Sequence, residues 1–166
     1  IEDFTNLQAA LAVAVYPAVE GFPYHFLAGE FDSEGSPTGL QYTNTDLWVD
    51  FMIHAPPFFP NAFSRDELIS SCGAEDAPWT NQLDEVNLPV LFVSAAGGFG
   101  LAYAHTQDIM TNADISILTV ELHPSDEVDL DFAHIDLFTA SNAHELVWQP
   151  ILEWIRSNHG HHPNGG

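Results

Sequence analysis

The chain has 166 residues, 46% of them hydrophobic, which is ample for one globular domain and unlike the composition of a disordered chain. Two arginines, Arg65 and Arg156, and no lysine stand against 24 Asp and Glu, a formal net charge of −22; binding to nucleic acid or to an anionic membrane surface is excluded, because both need basic side chains to replace counterions. No run approaches the roughly 18 apolar residues of a membrane span, and the best apolar window, residues 9–19, is short and contains Pro17.

From residue 1 to 87 the chain is irregular, with Pro and aromatic residues among short helical patterns. Leu7, Ala9, Ala10, Leu11 and Ala14 predict a helix over residues 6–15. Residues 29–44, rich in Gly, Ser, Thr and Asn, read as loop. TDLWVDFMIH (45–54) predicts a helix starting from a Thr or Asp cap. It cannot continue through APPFFPNAF, since Pro56, Pro57 and Pro60 lack the N–H groups a helix needs. Ser64 and Glu67 form a capping-box pattern for a short helix over 64–71, which Gly73 stops.

From residue 88 onward the pattern becomes regular. LPVLFVSAA (88–96) is a short apolar run with proline at its head and glycines behind it, the signature of a buried parallel strand. Gly97 and Gly98 allow a tight turn into a helix across 102–112. ISILTVELH (115–123) is a second buried strand, so strand, helix and strand make a βαβ unit with a right-handed crossover. The acidic loop PSDEVDLDFAHIDLF follows. Residues 143–157 predict an amphipathic helix with Leu146, Val147, Ile151, Trp154 and Ile155 inward, kinked or broken near Pro150. The tail, 159–166, reads as disordered, with His159, His161 and His162 on a floppy end rather than in a metal site.

In open α/β sheets the functional residues sit in loops at the carboxyl ends of strands. Two such loops occur here, and His134 lies in the second, ahead of the terminal helix. The order LPVLFVSAAGGFG, helix, ISILTVELH, DFAHIDLF, ASNAHELVWQPILEWI resembles the last part of α/β-hydrolases over residues 88–155. His134 in DFAHIDLF matches that family's histidine motif, usually written with Gly where this chain has Ala133. The fold class this implies is α/β. Residues 88–158 would be the C-terminal part of a hydrolase sheet, with parallel strands and flanking helices, and 1–87 a mostly helical lid with its connection. The activity implied is cleavage of carboxylic esters with an apolar part, with His134 as general base, and no cofactor is implied.

Two departures from the family shape this expectation. No GxSxG occurs, and neither does the oxyanion-hole loop that goes with it; Ser94 and Ser71 stand in other patterns. The resemblance therefore implies a partner, the N-terminal chain of the same hydrolase, carrying the nucleophile elbow. A start at Ile1 rather than Met agrees with removal of an upstream segment. The second departure is the acid: Ser94 to Gly98 hold no carboxylate where the family commonly has one. It lies either on the partner or in this chain at Asp136 or Asp131, with Asp129 as a further candidate. The alternative reading is a hydrolase-like binding or regulatory subunit without activity.

The remaining features carry less chemistry. Trp48, Phe58 and Phe59, among the aromatics of the first part, are candidates for binding an apolar substrate, and packing of the lid onto the body is the competing role. SDEVDLD (125–131) spaces acids as calcium loops do, but lacks the central Gly and closing Glu of an EF-hand, so a solvated loop and no metal site are expected. His25, His54, His105, His123 and His144 have no comparable context. Cys72 is the only cysteine, so no disulfide can form within the chain. The acidity fits a high-salt habitat, a secreted protein of an acidic setting, or a basic partner. The total absence of lysine favours the first, which leaves a high-salt cytoplasm or an extracellular location. No basic segment precedes Glu2 and Asp3, so no secretory signal is expected at the start.

Overall fold

A computed structural model of the chain describes residues 6–17, 25–54, 82–98 and 104–159. Phe58, Phe59, the expected helix over 64–71, Cys72, and His161 and His162 of the tail lie outside these residues. The described residues form a mixed α/β structure in which two small sheets and several helices share two apolar clusters.

The first helix, α1, spans Asn6–Val15, as the Leu and Ala spacing predicts. It buries Leu11, Ala14 and Val15 against Leu27, Leu40 and Trp48. Residues 29–44, expected as loop, instead contain a hairpin: β1 (Gly29–Phe31) pairs antiparallel with β2 (Pro37–Leu40). The turn is built by Asp32, whose Oδ1 accepts from the backbone N–H groups of Glu34 and Ser36, both at 2.9 Å. Gly35 closes it with φ +81°, a left-handed conformation that favours glycine. Helix α2 spans Thr45–His54. Its cap is one residue earlier than expected: Asn44 Oδ1 accepts from the Leu47 N–H at 3.0 Å.

The expected βαβ unit is present. Strands β3 (Pro89–Ala95) and β4 (Asp114–Val120) are parallel and in continuous register, from Pro89 opposite Asp114 to Ala95 opposite Val120. Helix α3 (Ala104–Ile109) lies between them in the chain. Ser94 and Thr119 face each other across the pair with their hydroxyls 2.9 Å apart, so Ser94 joins the strands rather than standing on an elbow. Among the described residues this sheet has two strands. Most β3 side chains are only half-buried and Ile117 of β4 is 46% exposed, whereas parallel sheets are normally covered on both faces.

Past β4, a 3-10 segment (Ser125–Leu130) leads to a short helix, α4 (Asp136–Thr139). The terminal helix is interrupted next to Pro150, where a kink or break is expected. Residues His144–Trp148 form a wide π turn in which the Gln149 N–H bonds to the His144 carbonyl, and helix α5 follows over Gln149–Asn158. Pro150 has no N–H to return to the Leu146 carbonyl, and the wide turn sits directly ahead of it. Val147 is buried and Leu146 and Ile151 pack beside it. Ile155, expected inward, is 49% exposed: a π turn adds a residue to the cycle and rotates everything beyond it relative to the α-helical period.

The two parts of the chain are hydrogen-bonded to each other. Ile135 N–H donates to the Phe26 carbonyl at 2.7 Å, Ser141 N–H to the Tyr42 carbonyl at 3.0 Å, and Thr43 bridges to Ala140. Among the described residues no helix is long and apolar enough to cross a membrane.

Candidate active site

The loops at the carboxyl ends of β3 and β4 meet. Gly97, after β3, donates its N–H to the Phe132 carbonyl at 2.8 Å. A Cβ on Gly97 would lie 2.5 Å from the Asp131 carbonyl oxygen, and one on Gly98 2.6 Å from the His134 nitrogen and 2.8 Å from the His25 carbonyl oxygen. Glycine is required at both places because the neighbour is backbone and cannot yield. These contacts seat His134 at the mouth of the glycine loop, in the turn just ahead of α4. Its imidazole is half-buried, and burial pushes its pKa below the ordinary 6.5. Withdrawal from water is the cause of the shift.

The two carboxylates proposed as the acid lie within the same turn, and both hold the loop together. Asp131 is buried at 1% exposure. Its Oδ1 accepts from the N–H groups of Leu122 (2.9 Å) and Phe132 (2.6 Å), and its Oδ2 from that of His123 (3.3 Å). It thereby ties the loop to the residues that leave β4. Asp136 is buried at 0% exposure. Its Oδ2 accepts from Ala28 N–H (2.9 Å) and Ala133 N–H (3.1 Å), and its Oδ1 from the Thr43 hydroxyl (2.7 Å). Burial pushes its pKa above the ordinary 3.8, and those three donors oppose the rise.

Two histidines that the sequence does not distinguish also lie here. His25 is buried, and its Nε2–H donates to the Asp131 carbonyl at 3.4 Å. Burial lowers its pKa, against the bond to Asp131 and the charges of Asp129 and Asp131. No local pattern around His25 announces this, because its partner is 106 residues away. His123 is different. Its Nδ1–H donates to Glu127 Oε2 at 3.1 Å, a contact that the i,i+4 spacing makes readable. Its Nε2 faces the Tyr42 hydroxyl at 3.1 Å and Gln41 Nε2 at 3.4 Å. Burial, and then the charges of Asp131 and Asp136, raise the Tyr42 pKa, and its hydroxyl also donates to the Leu130 carbonyl at 3.4 Å. Carboxylate, imidazole and phenol thus form a clamp from the loop after β4 to the end of β2.

Trp48, the aromatic candidate among the described residues, is buried, and its Nε1–H donates to the Ala10 carbonyl at 2.9 Å. One face of it, with Phe51, Leu47, Thr43, Ile135 and Thr139, lines an apolar cavity of about 150 Å³. It therefore packs α2 onto α1 and borders a cavity at once. The acidic stretch read against calcium loops is the 3-10 segment Ser125–Leu130. Among the described residues no three His, Cys, Asp or Glu side chains stand where they could hold one metal ion. No protein-family profile, curated protein or solved structure matches the chain.

Proposed function

We propose that this chain is the histidine-bearing part of a serine-type α/β-hydrolase that cleaves carboxylic esters, with the serine and its oxyanion-hole amides on a separate polypeptide. The observation that carries this reading is the seating of His134. It sits in the loop at the carboxyl end of the parallel pair, its backbone against Gly98 of the other strand's loop, where α/β enzymes gather their chemistry. A lowered pKa suits the role, since a general base must be neutral to take the serine proton and then return it to the leaving group. Among the described residues the parallel sheet has two strands and is incompletely covered, which supports a partner that supplies further strands.

The catalytic acid is best placed on that partner. Asp131 and Asp136 both spend their oxygens on backbone and hydroxyl donors, and a triad acid must instead orient the imidazole. The same observation favours the second reading, a noncatalytic binding subunit. Turnover of a short-chain p-nitrophenyl ester by the protein as purified, with any chain that accompanies it, separates the two. The hydrolase reading expects turnover that His134→Ala abolishes and that Asp131→Asn, if folded, retains. Absence of turnover from a folded sample that contains a second chain favours the binding subunit.

A further inference from the structure

We propose that the cavity between α2 and α4 is a binding site for one small nonpolar group, the size of a benzene ring or a short alkyl chain. It measures about 150 Å³ and is walled by Thr43, Leu47, Trp48, Phe51, Ile135 and Thr139. Three of these six carry a polar side-chain atom, and each is engaged within the protein. The Thr43 hydroxyl donates to Asp136 Oδ1 at 2.7 Å. The Thr139 hydroxyl donates to the Ile135 carbonyl at 3.1 Å and lies 2.8 Å from Thr43 Oγ1. Trp48 Nε1–H is bonded to the Ala10 carbonyl.

What is left to line the void is methyl, methylene and ring carbon. A water held in a cavity needs two to four polar partners, and every O–H and N–H of this wall is already engaged. A charged or hydrogen-bonding ligand would lose hydration with little in return, whereas an apolar group gains dispersion contacts with the wall. Shape adds to the argument. Trp48 and Phe51 stack with centroids 5.6 Å apart and planes 24° from parallel, a flat wall suited to another ring. An engineered protein cavity of about 150 Å³ lined by Leu, Ile and Phe stays dry and takes up benzene or xenon. Entry needs no unfolding, because Leu47 and Phe51 are 51% and 55% exposed. The site does not require His134 to be catalytic.

Benzene and xenon are the probes, added to the protein as purified and followed by NMR of the methyl groups. Benzene should shift the methyl resonances of Leu47, Ile135, Thr43 and Thr139 by its ring current, and xenon should compete with it. Leu47→Trp, which fills the mouth, should weaken benzene binding at least about tenfold, while Leu152→Trp on exposed α5 leaves it unchanged. His134→Ala should bind benzene as the unaltered chain does, which keeps this test separate from that of the hydrolase reading. Absence of benzene binding, or shifts centred on other methyl groups, would overturn the proposal; so would unchanged binding by a folded Leu47→Trp. Should that variant fail to fold, the methyl shifts of the unaltered chain decide the matter alone.

Discussion

Asp136 is the residue whose removal the structure weights most heavily. The residue has 0% exposure and its carboxylate holds three donors, two of them from distant stretches of chain: Ala28 N–H, the Thr43 hydroxyl and the local Ala133 N–H. In Asp136→Ala all three lose their acceptor inside the protein. At ~1–3 kcal/mol for each buried donor left unsatisfied, less what is regained by no longer burying a carboxylate, the expected loss is ~3–6 kcal/mol. Against a total stability of ~5–15 kcal/mol, that is enough to unfold a marginal chain. Asp136→Asn should cost only ~1–2 kcal/mol, because an amide oxygen can replace Oδ2 toward both N–H groups while the amide N–H₂ turns to Thr43 Oγ1. The two variants also differ from the native chain in pH dependence. The folded-state pKa of Asp136 is raised, so the folded state holds this proton more tightly than the unfolded state. Its contribution is therefore most favourable at low pH and declines as pH rises from the ordinary 3.8 through the raised value. Both variants should lose that slope. Urea unfolding followed by far-UV circular dichroism at several pH values measures all of this. Losses below ~1 kcal/mol for Asp136→Ala, or an Asn variant as damaged as the Ala variant, would refute the reasoning.

Other expectations follow from the same loop. His25 and His134 are both held below 6.5 by burial, so below 6.5 the unfolded chain binds more protons; stability should rise with pH from the lowered values up to about 6.5 and level off above it, as urea midpoints across that range would show. If His134 is the base, the acidic limb of the pH–rate profile should fall below 6.5 rather than above it; a limb above 6.5 would contradict the burial effect. Gly98→Ala forces a Cβ to within 2.6 Å of the His134 nitrogen and should cost ~1–3 kcal/mol by displacing the loop, visible as a lowered thermal midpoint. With a net charge of −22, raising NaCl toward ~1 M should raise the thermal midpoint by screening self-repulsion; a midpoint indifferent to salt would remove the high-salt reading of the composition.

How much of this could be read in the sequence depends on how local each determinant is. The helices over Asn6–Val15 and Thr45–His54 follow from spacing and caps within ten residues. The parallel pair follows from two apolar runs bounded by Pro and Gly. The hairpin was hidden because its strands are 3 and 4 residues long and carry Gly, Pro and Thr, although Asp32 and Gly35 are a readable turn pair. The π turn was hidden because Pro150 signals a break without saying which kind. At the site, the position of His134 was legible from the order of elements. The duties of Asp131 and Asp136 were not, since Asp136 serves Ala28 and Thr43 from 108 and 93 residues away. The same distance concealed His25, and the direction of the His134 pKa depends on burial that no local pattern reveals.

The most direct test of the proposed split hydrolase is native mass spectrometry of the purified protein, followed by reaction with a fluorophosphonate serine probe. The account predicts a second chain in complex with this one, taking up the probe, with labelling lost in His134→Ala. A well-folded chain alone, or a complex that never takes the probe, would contradict it.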